Sequence, residues 1–357
     1  MKGAVRLFKV AGISVELHIT FILFALLMLV FGGIETLLFL FLVFTIVLAH
    51  EFIHSMTAVM HGIKVPMIIL TPIGGLASID LPEDPILELE VSIVGPLFNF
   101  MLAFASLGLL LAINPAFMSL DNLSQDNISN LIQSDSLAGV LLMMVYINLT
   151  LGGFNMLPAF PMDGGRVFRS VLALWIDYEK ATKIATAIGQ AIFLALAFVG
   201  LLELNLLYVL IGGLLYYAGG NEARYVSLRK LMADATLAQI ADERIAYVNG
   251  SLSWKEFIST VLRRGKSVYF IVDSGGMLKG VLELGGGRRI NASATVGESG
   301  TTDYIVMEGD TKARDALKVL LSGRIILVAS GGRLIGYLTA DTLSESAAHL
   351  SLARTLG

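Results

Sequence analysis

The sequence predicts a polytopic α-helical membrane protein of about six transmembrane helices, with a short β-hairpin at the membrane edge and a soluble α/β tail. Three observations predict it. The chain is 55% hydrophobic and 15% charged, with a mean hydropathy of +0.77, whereas soluble domains carry about 25% charged residues. The depletion is uneven. Nearly all long apolar runs lie between residues 10 and 220, and residues 221–357 read as an ordinary soluble mixture. The tail also repeats itself: FIVDSGGMLKGVLE at 270–283 matches ILVASGGRLIGYLT at 326–339 in pattern. We therefore divide the chain into 1–222 and 223–357. The net charge of −4 and the lack of a basic patch argue against nucleic acid as a partner. With no cysteine, disulfides and thiolate metal sites are excluded.

A membrane span needs about 20 mostly apolar residues. Runs at 15–32, 36–59, 86–112, 136–158, 182–202 and 204–220 meet that need, the last two separated only around Glu203 and Asn205. The N-terminal stretch MKGAVRLFKVAGISVELHIT has no small-residue cleavage site after its apolar run, so it is read as leading into a retained first span. Between the second and third runs, VPMIILTPIGGLASID combines β-branched residues with Pro66, Pro72 and Gly74-Gly75. That composition predicts a hairpin. Lys2, Arg6, Lys9, Lys64, Arg166, Arg169, Lys180, Lys183, Arg224, Arg229 and Lys230 all fall on one side of the predicted topology. The positive-inside rule makes that side cytoplasmic, together with the N-terminus and the tail of a multi-pass cell-membrane protein.

The stretch VLAHEFIHSM at 47–56 places three ionisable groups inside an apolar run. A charge at that depth costs roughly 2.5–3.5 kcal/mol on insertion scales. His50 and His54 are four apart and share a helix face. HExxH on a helix offers two imidazoles to one zinc, with the glutamate, here Glu51, placed as general base. The competing reading is a pair of histidines hydrogen-bonded within a helix bundle. A hydrolytic zinc takes three protein ligands and keeps one open position. Asp163 is the only carboxylate between Asp135 and Asp177, and it stands at the depth of the histidines. Pro158 and Pro161 interrupt regular helix before it, and Gly164-Gly165 permit close backbone approach after it. A helix cap at the membrane surface is its other reading. Asn155 is a candidate to bind substrate or an oxyanion, or else a packing amide between spans. His18 and His61 are read as interfacial or structural. A metal transporter would use the same histidines, but the runs show no second polar cluster on the outer side to complete a path.

HEFIH (50–54), TPIGG (71–75), GPLFN (95–99) and NMLPAFPMDGG (155–165), in that order, resemble the site-2 protease family of intramembrane zinc metalloproteases. The resemblance covers about residues 10–220. It implies zinc held by His50, His54 and Asp163. It implies Glu51 as the base that activates water and passes the proton to the leaving amine. Asn155 matches the asparagine that orients substrate or stabilises the tetrahedral intermediate, and Gly95 and Asn99 match a structural motif of the third span. The 66–79 segment resembles an edge hairpin onto which an unwound substrate adds as a strand. The implied partners are the lipid bilayer and a membrane-spanning protein, cut near its cytoplasmic end to release a soluble segment.

In the tail, residues 231–284 and 303–339 each read as an amphipathic helix, a strand, a glycine turn and a second strand. The repeat resembles a tandem CBS pair, an adenine-nucleotide-sensing module. It implies ATP or AMP as a ligand, with Thr339 and Asp341 as the candidate contacts. Thr342 stands where such halves often carry the ribose-binding acid, and Glu283 replaces the threonine in the first half. The alternative is a dimerisation or docking module without ligand; homodimerisation through the pair is expected.

Overall fold

The computed structural model describes residues 3–77, 79–118, 125–132, 134, 136–262, 268–284, 294–343 and 346. The chain forms two compact units, Met1–Arg224 and Tyr225–Gly357.

The first unit opens with two strands, not with a span. β1 (Ala4–Val10) and β2 (Ile13–His18) pair antiparallel around Ala11-Gly12, both at positive φ (50° and 85°). The expected first span at 15–32 thus begins four residues late, because Ile13, Val15 and Leu17 alternate with Ser14, Glu16 and His18 at a strand's period of two. His18 caps the following helix by accepting from the Thr20 backbone N–H. The predicted hairpin is present as β3 (Met67–Thr71) and β4 (Gly74–Ala77). β2 pairs parallel with β3, so the four strands form one sheet in the order β1-β2-β3-β4.

The helix α1 runs Ile19–Met60, 42 residues with one break at Gly33, whose φ of 72° no helix accepts. The break folds the helix back on itself, and the rings of Phe21 and Phe44 on its two arms lie 4.5 Å apart. The helix α2 (Pro85–Ile113) starts with proline at its first position and Asp84 as cap, accepting from Ile86 and Leu87 N–H groups at 3.0 and 3.2 Å. A 3₁₀ turn at Pro115–Met118 and α3 (Gln125–Ile132) occupy part of the expected outer loop. α4 (Leu137–Asn155) follows, then the short amphipathic α5 (Asp163–Ala173). α6 (Tyr178–Leu202) and α7 (Leu206–Leu231) are two helices, parted at Leu204 where φ is 52°. Ile19–Met60, Pro85–Ile113, Leu137–Asn155 and Tyr178–Leu202 are long and apolar enough to cross a membrane. α2 lies at the centre and packs against α1, α4 and α5.

In the second unit, α8 (Leu237–Ile240), β5 (Tyr247–Asn249), α9 (Trp254–Glu256), β6 (Val268–Val272) and β7 (Leu278–Glu283) precede α10 (Val296–Ser299), β8 (Tyr304–Glu308), α11 (Ala313–Leu321), β9 (Ile325–Ser330) and β10 (Arg333–Leu338). Both sheets share one topology: a parallel pair, β5–β6 or β8–β9, then an antiparallel pair, β6–β7 or β9–β10. The halves are not bounded as the repeat suggests. Leu237 and Ile240 pack with Ala313, Leu317, Ile326 and Leu338 of the second half, and Val296 packs with Trp254, Phe257 and Tyr269 of the first. The short helix ahead of each sheet thus packs into the core of the other half.

Candidate metal centre

The half of α1 beyond Gly33 carries His50, Glu51 and His54. Both imidazoles are buried, at 3% and 5% exposure, with ring centroids 4.7 Å apart. Asp163 reaches them from the first position of α5. His50 Nε2, His54 Nε2 and Asp163 Oδ2 form a triangle with every side 3.1 Å. The structure thus brings together the three residues that the sequence singled out on separate segments.

Hydrogen bonding on the far side of each ring settles where the imidazole protons sit. His54 Nδ1 bonds the carbonyl of Val91, which can only accept, so Nδ1 carries the proton. The His50 side needs one more step. Asn148 Nδ2 donates to the Met144 carbonyl at 2.9 Å, which turns Asn148 Oδ1 toward Asn99 Nδ2 at 2.8 Å. Asn99 Oδ1 therefore faces His50 Nδ1 and accepts from it. In the neutral form that a metal ion binds, both Nε2 atoms are lone pairs aimed at a carboxylate oxygen. Three acceptors at this spacing repel unless a cation lies among them. Two imidazole nitrogens and one carboxylate suit zinc at about 2.0–2.2 Å, with Asn99 and the Val91 carbonyl as outer partners that set tautomer and orientation.

Glycines let the backbones approach. A Cβ on Gly95 of α2 would collide with both histidine rings. A Cβ on Gly75 of β4 would lie 2.5 Å from Glu51 Cγ, so Glu51 lies against the edge strand of the sheet. The irregular segment 156–162 leading to Asp163 buries Ala159, Phe160 and Met162. Gly189 of α6 sits on Ala159, and Gly219 of α7 sits on the Phe160 carbonyl. Backbone without helical bonds is held there inside protein.

Asn155 is the half-buried last residue of α4, where the 156–162 segment departs. The amide that reaches a histidine is Asn99, and Asn148 bonds Asn99 in turn. The sequence marked Asn99 only as part of a packing motif and Asn148 not at all, although a lone amide inside an apolar helix is a signal in its own right. Arg169, counted among the cytoplasmic basic residues, is only 3% exposed and pairs with Glu88 and Glu222. In the second unit Thr339 is 3% exposed and trades hydrogen bonds with Thr342, its backbone N–H donating to Thr342 Oγ1 at 2.8 Å. Asp341 is exposed beside them.

The model of peptidase family M50 matches residues 38–196. A zinc metalloprotease of Methanocaldococcus jannaschii is 31% identical over 366 aligned residues, covering 100% of this chain and 99% of the relative. A solved site-2 protease from the same organism is 36% identical, covers 62% of this chain and 95% of its own, and superposes with a TM-score of 0.44. The CBS-pair protein CBSX2 of Arabidopsis thaliana is 20% identical over 33% of this chain and 96% of its own, with a TM-score of 0.27. Similarity to the archaeal metalloprotease runs the length of both chains, and the matched segment carries His50, Glu51, His54 and Asp163. The chain belongs to peptidase family M50, the site-2 protease family of zinc metalloendopeptidases.

Proposed function

We propose that this chain is an intramembrane endopeptidase that hydrolyses a peptide bond of a membrane-spanning protein near the cytoplasmic side, releasing a soluble fragment. The observation that carries this reading is the triangle of three atoms that can ligate a metal, His50 Nε2, His54 Nε2 and Asp163 Oδ2, with both Nδ1 protons already donated elsewhere. Zinc held by those three atoms would supply Lewis acidity at the scissile carbonyl. Glu51 takes a proton from the attacking water and hands it to the leaving amine nitrogen. Asn155 donates a hydrogen bond to the substrate or the developing oxyanion. A peptide bond in a helix is shielded, so the substrate must be extended before attack, and the edge of β4 beside Glu51 offers a strand to pair with.

In this reading residues 1–222 are the protease domain, with about six spans. The break of α1 at Gly33 and the separation of α6 from α7 support that count. The N-terminus and tail lie in the cytoplasm. Because the chain has no cysteine, single introduced cysteines labelled from either side test this topology directly. Residues 223–357 are a tandem CBS pair, supported by the repeated strand topology. It binds ATP or AMP near Thr339 and Asp341 and associates as a homodimer. Calorimetry on the full chain with either nucleotide tests the first point, and sedimentation the second.

The deciding experiment compares wild type with Glu51→Gln on a single-pass membrane substrate in detergent, with zinc content measured in both. The expected result is zinc retained in both and a cleavage rate at least about 10²-fold lower in the variant. Equal cleavage by the two proteins would remove Glu51 from the reaction and overturn the reading.

A further inference from the structure

We propose that Arg169 is a positioning residue for the metal centre: its bond to Glu88 ties the helix that presents Asp163 to the helix that orients both histidines. The proposal rests on the reading of His50, His54 and Asp163 as the metal ligands. α2 carries Glu88, Val91, Gly95 and Asn99 at spacings of three, four and four residues, so they line one helix face. All four are buried. Three of them already set the histidines: Val91 accepts from His54, Asn99 accepts from His50, and Gly95 makes room for both rings. The fourth, Glu88, reaches in the other direction, to α5.

Arg169 meets Glu88 with two nitrogens, Nη2 on Oε1 and Nε on Oε2, the latter at 3.2 Å. Ser170, also on α5, donates to Glu88 Oε2 at 3.0 Å, and Tyr178 at the start of α6 donates to the same oxygen at 2.9 Å. Arg169 Nη1 donates to Glu222 of α7 at 2.9 Å. The guanidinium lies 4.7 Å from the ring centre of Phe160 and 4.8 Å from that of Tyr178. Phe160 belongs to the segment that delivers Asp163. Arg169 therefore holds α5 at two points, directly through its own helix and through the ring preceding Asp163, and refers both to α2. A fork of five donors suits this work and a lysine does not, since one ammonium cannot span both Glu88 oxygens and Glu222 in a plane.

Buried charge pairs are weak evidence for stability, because desolvation offsets much of their attraction. A pair kept at this place fits a positioning role, and such outer partners typically change metal affinity about 10–100-fold when altered. The test uses the full chain in detergent and three proteins: wild type, Arg169→Lys and the double variant Ser170→Ala/Tyr178→Phe. The double variant removes two bonds to Glu88 and leaves the Arg169 pair intact. Zinc affinity is read by chelator competition, ligand geometry by the visible absorption of the cobalt-loaded protein, and folding by helical circular dichroism on the same samples. The expected result is native helicity, zinc binding weakened about tenfold or more in Arg169→Lys and severalfold in the double variant, and an altered cobalt spectrum in both. Native affinity and an unchanged cobalt spectrum in a folded Arg169→Lys would overturn the proposal. If Arg169→Lys does not fold, a fourth protein, Glu88→Gln, which loses one of the two oxygens that Arg169 grips, takes its place, and the same unchanged result there overturns the proposal. A wild-type protein that binds no zinc overturns the ligand assignment itself, which separates the two failures.

Discussion

Replacing Gly95 by alanine tests the metal centre without replacing a proposed ligand, and the atom nearest the added Cβ is His54 Nε2 itself. A Cβ built there lies 2.5 Å from His54 Cε1 and 2.8 Å from His50 Cε1. Carbon atoms in contact sit about 3.5–4.0 Å apart, so α2 must retreat by about 1 Å or the rings must turn. The rings cannot turn freely, since Val91 and Asn99 hold them by Nδ1. Retreat stretches the 2.5 Å bond from His54 to Val91 to about 3.5 Å, the limit of a hydrogen bond, and lengthens the His50–Asn99 bond with it. Two such bonds at about 1 kcal/mol each amount to about 2 kcal/mol, or about thirtyfold in metal affinity. Chelator competition on purified protein measures it, and circular dichroism confirms that the helices remain. Wild-type zinc affinity in a folded Gly95→Ala would refute the close packing of α2 on the histidines.

Other substitutions probe the surrounding groups. Asn148→Leu leaves Asn99 Nδ2 without its partner and frees that amide to rotate; zinc affinity should fall severalfold and stability by about 1–3 kcal/mol, read by competition and denaturant unfolding. Gly75→Val drives a side chain into Glu51 Cγ, so kcat should fall while zinc content stays at wild-type level; unchanged kcat would place Glu51 away from β4. In the tail, Asp242 accepts from Arg244 Nη2 at 2.7 Å and from the Tyr337 hydroxyl at 3.2 Å. The Arg244 hydrogen bonds hold its carboxyl below the usual carboxylate range. A depressed pKa stabilises fully above the unfolded value of about 3.9, and the contribution fades as pH falls below about 5 through the folded value. Asp242→Asn should therefore lower tail stability by about 1 kcal/mol at neutral pH and flatten its dependence on pH between 5 and 3. The fluorescence of Trp254, 4% exposed in the tail core, reports it once the exposed Trp175 is replaced by phenylalanine.

Much of the proposed ligand set is legible in the sequence because it is local chemistry. His50 and His54 are bound by helical spacing, Glu51 by its place between them, and Asp163 by being the one carboxylate in a proline- and glycine-marked break. The β3–β4 hairpin was legible from Pro66, Pro72 and Gly74-Gly75. The β1–β2 hairpin was not, because Ile13, Val15 and Leu17 run straight into the apolar helix and a hydropathy window merges the two. Arg169 is a similar case: charge counting places it on one side of the membrane, and only the fold shows it buried against Glu88, 81 residues away. The crossing of Leu237 and Val296 between the halves of the tail is likewise invisible to a linear repeat.

What the sequence alone determined was which atoms are available: two imidazoles on one helix face, a glutamate beside them and a single carboxylate at matching depth. Helical periodicity and the cost of burying charge in lipid are enough for that, since both act over a few residues. What only the tertiary structure decided was the state of those atoms. The protons on His50 and His54 are assigned by acceptors on α2, with the His50 one anchored through Asn148 on α4, 98 residues from it in the chain but two hydrogen bonds away in space. Hydrogen bonds are short-ranged and directional, so a donor's partner is set by packing and not by distance along the sequence.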